Sequence, residues 1–172
     1  DFGEVDVPPA GSVRRPDTAD KAQDFTDLAY TMVRVLDEDN RAVGPWDPKL
    51  SPDALRRMLR NMVLVRAFDE RMFRAQRHGK TSFYMKSLGE EAVSIGAAAA
   101  LADDDMCFPS YRQQGILISR GCPLVDMMNQ IYSNTGDKLQ GKQLPIMYSE
   151  RRFSFFSISG NLTTQYPQAV GW

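Results

Sequence analysis

The sequence has few cysteines, a single histidine and no long apolar run. Each of these features argues against a particular class of protein. Its two cysteines, Cys107 and Cys122, are too few for a disulfide framework and lack metal-ligand spacing, so we expect reduced thiols. No apolar stretch approaches the roughly 20 residues that a membrane-spanning helix needs. The first residues are acidic and show no signal or transit pattern. We therefore expect a cytoplasmic protein of bacterial type with no membrane partner.

The chain also lacks an excess of either charge. Its formal net charge is -1, and no stripe of basic residues follows any segment, so we expect no nucleic-acid partner. In contrast, 42% of the 172 residues are hydrophobic and 25% are charged. This balance is typical of a globular protein that buries a real core.

The only histidine, His78, lies beside Gly79 and Lys80 at the predicted end of a long helix. A cation there would interact favourably with the helix dipole, so we interpret His78 as a capping or solvated residue. A catalytic dyad or triad that needs histidine must therefore use His78 or take its histidine from outside this sequence.

The chain divides into an extended arm over residues 1–49 and the start of a domain over residues 50–172. The first 27 or so residues are rich in Pro, Gly, Asp and Arg and show little periodicity. The apolar, β-branched run Leu28–Leu36 predicts a strand, and the turn-like residues 37–40 follow it.

Helical signals dominate the second part of the chain. Ser51 as N-cap, Pro52 at the first helical position and an apolar repeat of three to four predict a helix that ends near His78–Gly79. Further helices are predicted over 89–102 and 123–132, and another opens at Gln165. Glu90 and Glu91 are interpreted as the acids that favour a first helical turn.

Two short apolar runs, Met106–Pro109 and Phe153–Ile158, predict strands between these helices. Helices that alternate with short strands indicate an α/β domain with a mainly parallel sheet flanked by helices. The last predicted helix stops at Gly171–Trp172 without a closing turn, so we expect the domain to be incomplete at its C-terminal end.

Two polar loops follow the predicted strands and are the strongest candidates for a ligand site. Tyr111–Arg112 follows the first strand, and arginine can hold a phosphate oxygen in a bidentate fork. The loop 157–165 follows the second strand and supplies backbone N–H groups, hydroxyls and carbonyls at one place. Leu162 is an apolar side chain in the middle of this polar loop, which suggests an apolar group beside it.

A third glycine-containing segment, Gly136–Lys142, imitates the phosphate loop of nucleotide-binding proteins. It follows the GxxxxGK pattern, but Gln143 stands where a Ser or Thr would bind Mg²⁺, and a predicted helix precedes it instead of a strand. A nucleotide-binding protein therefore remains an alternative of another class, and a non-catalytic scaffold is a third.

Four ordered motifs carry a resemblance to a known family: SFYMKSLGEEA (82–92), MCFPSYRQQGIL (106–117), LQGKQLPIMYS (139–149) and SISGNLTTQYPQAVGW (157–172). The chain from about Leu50 to its end resembles the N-terminal part of the alpha subunits of branched-chain 2-oxo acid dehydrogenases. The resemblance implies a thiamine diphosphate-binding fold. A pyruvate or acetoin dehydrogenase alpha subunit is the alternative within the same class.

The resemblance also implies an activity and a set of partners. The activity is oxidative decarboxylation of branched-chain 2-oxo acids, such as 3-methyl-2-oxobutanoate, with transfer of the acyl group to a lipoyl group. The implied partners are a beta subunit in an alpha2beta2 heterotetramer and a lipoyl-bearing acyltransferase of a multienzyme complex. The Mg²⁺ ligands and the histidine used in acyl transfer are expected downstream of Trp172.

Site residues follow from the resemblance position by position. Tyr111 and Arg112 would bind the diphosphate, Gly160 would contact the pyrimidine through its backbone, and Leu162 would lie beneath the cofactor and hold its rings in a bent shape. Phe83 would form an apolar wall of the substrate pocket.

The resemblance further implies a potassium site formed by Ser159, Asn161, Thr164 and Gln165. Asn161 replaces a proline of some members, and Ser110 stands where some relatives have glutamine. The first change need not abolish a site built on a backbone carbonyl.

Overall fold

The structure, a computed structural model, describes residues 7–172, so the first six residues of the predicted arm lie outside the described residues. The described chain separates into two compact units, the residues up to Ser51 and Pro52–Trp172. Within 7–172, no helix has both the length and the hydrophobicity that a bilayer-spanning segment requires.

The first unit contains a 3₁₀ helix, Ala22–Tyr30, and a tight turn. The predicted strand over 28–36 does not form, because its first residues end this helix and only Leu36 pairs, in an antiparallel bridge to Ala42. The predicted turn between them is confirmed. One carboxylate oxygen of Asp37 accepts hydrogen bonds from two backbone N–H groups of the turn, and Asn40 adopts a left-handed conformation with φ of 60°.

The second unit contains five α-helices. Their bounds are α1 Pro52–Arg77, α2 Glu91–Ala100, α3 Gln114–Ser119, α4 Leu124–Tyr132 and α5 Gln165–Gly171. The helices predicted after Ser51, near 89–102, over 123–132 and from Gln165 are therefore confirmed. Helix α3 was not among the helices predicted from the sequence.

The end of α1 shows why the sequence signals there were reliable. Gly79 adopts a left-handed conformation with φ of 69°, and its N–H donates to the Gln76 carbonyl while the Lys80 N–H donates to the Ala75 carbonyl. This is the glycine-terminated pattern that satisfies the last carbonyls of a helix. His78 is the exposed residue before that glycine, and its backbone N–H donates to the Arg74 carbonyl.

The predicted parallel sheet is not present in the described residues. The two predicted strands, 106–109 and 153–158, instead meet in a single parallel bridge between Cys107 and Phe155. One reason is that Ser154 is left-handed, with φ of 47°, directly after a 3₁₀ turn at Arg151–Phe153. The other is that Pro109 has no N–H with which to extend the ladder.

The core of the second unit lies where α1, α2 and α3 pack together. Helix α3 lies close to α2 at Gly115, where an added Cβ would lie 2.9 Å from the Ser94 Cβ. The helices can pack this closely because Gly115 carries no side chain. The largest fully buried apolar side chains around them are Phe155, Met72, Ile95, Leu117, Met127, Ile131, Ile146 and Val65.

Candidate functional site

The two candidate loops lie side by side. The Cys107 N–H donates to the Ser154 carbonyl at 2.8 Å, and the Phe156 N–H donates to the Cys107 carbonyl at 2.9 Å. Because the bridge is parallel, both segments leave it in the same direction, towards Tyr111–Arg112 and towards the loop 157–165. The carboxyl ends of parallel segments are where α/β proteins place their ligands.

Gln165 joins the two loops directly. Its side-chain amide nitrogen, Nε2, lies 3.3 Å from the Pro109 carbonyl oxygen of the first loop and 3.4 Å from the Ser159 carbonyl oxygen of the second. The residue predicted as a potassium ligand therefore also links the two segments.

Arg120 fastens the same two segments at their opposite end. Its guanidinium donates to the carbonyl oxygens of Phe153 and Ser154 on one side, and of Ala102 and Asp105 on the other, at 2.7 to 3.1 Å. Sequence reasoning missed this residue, because its four acceptors are backbone groups that carry no sequence signal. The guanidinium therefore supplies hydrogen bonds between the two segments, which pair with each other in only one parallel bridge.

Arg112 makes an ion pair that the sequence analysis did not anticipate. Its Nη1 donates to Glu90 Oε1 at 3.0 Å, and both side chains are 40% exposed. Its Nε is buried and has no hydrogen-bond partner in the described structure. The guanidinium lies 5.7 Å from the Tyr111 ring centroid. A buried donor without an acceptor is costly, so this atom fits a site that receives an oxygen-rich anion.

Glu90 and Glu91 both sit at the start of α2 but differ in environment. Glu90 precedes the helix and is half-buried, whereas Glu91 is buried and accepts hydrogen bonds from Arg66 and the Gly89 N–H at 2.9 and 3.0 Å. Burial alone would raise the pKa of Glu91. The hydrogen bonds from backbone N–H groups and Arg66 outweigh that effect and hold the pKa below its ordinary value.

Behind the loops, α1 carries a buried carboxylate, Asp69. One of its oxygens accepts from the Tyr84 hydroxyl at 2.7 Å and the Gln114 amide at 2.9 Å. The other accepts from the backbone N–H and the hydroxyl of Ser87 at 2.7 and 2.9 Å. Burial, and then the charges near it, raise the pKa of Tyr84 far above its usual value, so this phenol stays protonated and donates. Asp69 thus ties the segment before Glu90 to the helix after Arg112.

The second loop is held by its own polar groups. The Thr164 hydroxyl donates to the Asn161 carbonyl at 2.8 Å, and the Asn161 N–H donates to the Ser159 hydroxyl at 3.3 Å. Thr163 adopts a left-handed conformation with φ of 71°, which is strained for a β-branched residue. Leu162, just before it, is 67% exposed. The loop therefore presents one apolar side chain on a tightly turned backbone.

Gly160 lies over Met147, whose terminal methyl carbon would be 3.5 Å from a Cβ added there. Met147 follows Ile146, a buried residue in a left-handed conformation with φ of 67°. The Gln130 side chain holds this turn, because its amide donates to the Leu144 carbonyl and accepts from the Ile146 N–H, at 2.7 and 3.0 Å. An open cleft of about 380 Å³ adjoins the turn, lined in part by Ser157, Ser159 and Gln168.

Phe83 is half-buried and packs against the core next to Tyr84. Ser110 is half-buried in the first loop. The structure places both residues on the segments that carry Glu90 and Arg112.

The glycine-containing segment 136–142 does not present a free phosphate cradle. The buried carboxylate of Asp137 accepts hydrogen bonds from the Leu139 and Gly141 N–H groups at 2.9 and 2.7 Å. The donors that a phosphate would need already serve an anion of the chain itself. No group of three or more His, Cys, Asp or Glu side chains in residues 7–172 is arranged to hold a metal ion.

Comparison with known proteins gives a consistent picture. Residues 59–172 match the family described as "Dehydrogenase E1 component". The whole chain is 57% identical to the 2-oxoisovalerate dehydrogenase subunit alpha of Pseudomonas aeruginosa and spans 42% of that protein. Over 139 residues, 80% of the chain, it is 42% identical to subunit alpha 1 of the mitochondrial enzyme of Arabidopsis thaliana and 40% identical to the mitochondrial subunit alpha of Bos taurus. It covers 29% and 30% of those two, so the chain spans less than half of these curated relatives.

Proposed function

Because the chain belongs to the dehydrogenase E1 component family, we propose that it forms the N-terminal part of the alpha subunit of a branched-chain 2-oxo acid dehydrogenase. The proposed reaction is oxidative decarboxylation of substrates such as 3-methyl-2-oxobutanoate, with acyl transfer to a lipoyl group. The 57% identity to a 2-oxoisovalerate dehydrogenase subunit supports the branched-chain type over pyruvate or acetoin.

The single observation that carries this proposal is the position of Arg112. Its buried Nε has no hydrogen-bond acceptor within residues 7–172, and Gln165 ties its loop to the loop of Gly160 and Leu162. The family is thiamine diphosphate-dependent, and a diphosphate offers the acceptor oxygens that Arg112 lacks. Tyr111 adds a neutral donor beside it.

The other residues of the site would position the aromatic part of the cofactor. The Gly160 backbone is available to a pyrimidine, since this residue is exposed and carries no side chain, and the exposed Leu162 would support the rings from below. When bound, thiamine diphosphate supplies the electron sink for decarboxylation. Phe83 is the proposed apolar wall of the substrate pocket.

A potassium ion is proposed at the second loop. The loop offers oxygens of Ser159, Asn161, Thr164 and Gln165, and hard monovalent and divalent cations prefer oxygen ligands of this kind. The internal hydrogen bonds among these residues support the proposal, because they already hold the oxygens near one another. The Mg²⁺ ligands and the histidine for acyl transfer would come from the rest of the full-length protein.

The proposed partners are a beta subunit, in an alpha2beta2 heterotetramer, and a lipoyl-bearing acyltransferase. On α1, Leu55, Leu59 and Val63 share one face, and each is more than half exposed, which supports burial against another chain. We propose that residues 1–49 form an arm and residues 50–172 begin the cofactor-binding domain, whose sheet the rest of the protein completes. Two free, buried thiols fit a cytoplasmic location.

The proposal is tested by cofactor binding to the full-length alpha subunit assembled with its beta subunit. Isothermal titration calorimetry should show that Arg112→Ala weakens thiamine diphosphate binding by at least about tenfold, as expected for losing charge-assisted hydrogen bonds. Arg74→Ala removes an arginine that also pairs with a glutamate, but on α1, and should leave the affinity unchanged.

Substrate assays separate the alternatives. Decarboxylation of 3-methyl-2-oxobutanoate in preference to pyruvate, with no turnover of acetoin, is the expected result. Preference for pyruvate or acetoin would replace the branched-chain type by the alternative within the class. Activity without thiamine diphosphate, or nucleotide binding that depends on Lys142, would overturn the proposal.

A further inference from the structure

The ion pair between Glu90 and Arg112 has a role that goes beyond charge neutralisation. We propose that Glu90 is a positioning residue, which holds the Arg112 guanidinium in the orientation that receives the diphosphate. This inference deepens the proposed function and rests on it.

The geometry of the contact supports positioning instead of blocking. Glu90 Oε1 accepts from Nη1 of Arg112 at 3.0 Å, and the buried Nε has no acceptor among the residues that the structure describes. A guanidinium has five N–H donors in one rigid plane. Fixing one of them therefore fixes the direction of the others, and the exposed part of the guanidinium can receive an anion while Glu90 keeps Nη1.

The Glu90 side chain is itself placed by a firm backbone. Its N–H donates to the Ser87 carbonyl at 2.8 Å, and Ser87 is bound through its own N–H and hydroxyl to the buried Asp69. On the other side, Gln114, two residues after Arg112, donates to the same carboxylate at 2.9 Å. The two ends of the ion pair thus belong to segments that are anchored to one buried group.

The physical benefit is a smaller ordering cost when the anion binds. Arginine is long and rich in rotamers, and immobilising such a side chain at the moment of binding reduces affinity. A carboxylate that orders the guanidinium beforehand removes that cost. The orientation of Arg112 needs only a hydrogen-bond acceptor at this position, so an uncharged acceptor should orient it equally well. The negative charge of Glu90 is not itself useful, because it opposes an incoming diphosphate.

Two substitutions distinguish orientation from charge. Glu90→Ala removes the acceptor and should weaken thiamine diphosphate binding by about three- to tenfold, the expected cost of ordering one long side chain. Glu90→Gln keeps an acceptor for Nη1 and should stay within about twofold of the parent. Glu70→Ala is the matched control, because it removes a similarly exposed carboxylate that pairs with Lys86 of the same segment, and the affinity should not change.

A double-mutant cycle, measured by calorimetry on the assembled full-length protein, decides whether Glu90 acts through Arg112. In an Arg112→Ala background, Glu90→Ala should no longer weaken binding, since no guanidinium remains to be oriented and only the repulsion between Glu90 and the diphosphate is removed. Thermal unfolding of each variant checks that the fold is intact.

The outcomes separate the two proposals. The positioning role of Glu90 is wrong if Arg112→Ala weakens binding but its effect and that of Glu90→Ala are additive. It is also wrong if the Glu90→Gln variant binds thiamine diphosphate as weakly as the Glu90→Ala variant. If Arg112→Ala leaves the affinity unchanged, the diphosphate role of Arg112 is wrong instead.

Discussion

Asp69 on α1 accepts a 2.9 Å hydrogen bond from the side-chain amide of Gln114 on α3, and both side chains are almost completely buried. Asp69 also receives the Tyr84 hydroxyl and two groups of Ser87, so each carboxylate oxygen has two donors. A buried carboxylate is tolerated only when it is satisfied in this way. The Asp69 carboxylate thereby holds together α1, the segment of Tyr84 and Ser87, and α3. Among the ion pairs of residues 7–172, none involves Asp69.

We predict that Asp69→Asn lowers the free energy of unfolding by about 2–4 kcal/mol, because an amide nitrogen would then face donors in place of an acceptor. Asp53→Asn, on the exposed start of the same helix, should cost less than about 1 kcal/mol. Urea unfolding of the full-length protein measures both. Equal effects of the two substitutions would show that the buried network contributes nothing.

The packing of α3 on α2 predicts opposite effects for two glycine-to-alanine substitutions. At Gly115 the new Cβ would lie 2.9 Å from the Ser94 Cβ, so Gly115→Ala should destabilise by about 1–3 kcal/mol despite alanine's higher helix propensity. At Gly96, on α2, a Cβ meets nothing within 4 Å, and Gly96→Ala should stabilise by about 0.5–1 kcal/mol. Thermal melts that moved in the same direction for both variants would contradict the packing.

The parts of this fold that the sequence predicted are those determined by neighbouring residues. Helix α1 begins after Ser51 and ends before Gly79 because both signals act within one turn of the helix. Helix α3 escaped notice because its six residues are too few to show a period. The predicted strands failed as strands because Ser154 and Pro109 interrupt the ladder, an effect that apolar patterning does not show.

In the candidate site, too, local features could be predicted from the sequence, and contacts between distant residues could not. The two loops could be predicted from their polar composition and from the resemblance, because both signals lie within a short stretch of sequence. Glu90 and Arg112 lie 22 residues apart, and Asp69 and Gln114 lie 45 apart. Such pairings depend on the tertiary fold, so reading along the chain gives no reason to connect them.

The thiol of Cys122 should be unreactive in the folded protein. Burial, and then the charges of Glu150 and Asp126, raise its pKa to about 11. At pH 8 its thiolate is scarce, so alkylation by iodoacetamide should be about 100-fold slower than in urea, where cysteine has a pKa near 8.5. A Cys107→Ser background isolates the signal for mass spectrometry. Equal labelling rates in the folded and unfolded states would refute this environment for Cys122.

The stability contributed by Glu91 should depend on pH in a defined direction. Although burial opposes ionisation, hydrogen bonds from backbone N–H groups and Arg66 hold the pKa of Glu91 below its ordinary value of 4.5. The folded protein therefore binds the Glu91 proton less readily than the unfolded chain does. Its contribution is complete above pH 4.5 and is lost as the pH falls through the lower, folded pKa.

Accordingly, Glu91→Gln should lower the free energy of unfolding by about 1–2 kcal/mol at pH 7, the value of charge-assisted hydrogen bonds to a partly exposed arginine. The difference from the parent should shrink as the pH is lowered below 4.5, because the parent carboxylate becomes protonated. Urea titrations at several pH values measure this convergence. Glu38→Gln, whose side chain is 88% exposed in its pair with Arg34, should show a small difference at every pH. A Glu91→Gln penalty that stayed constant into the acid range would mean that the ionised carboxylate is not what stabilises the start of α2.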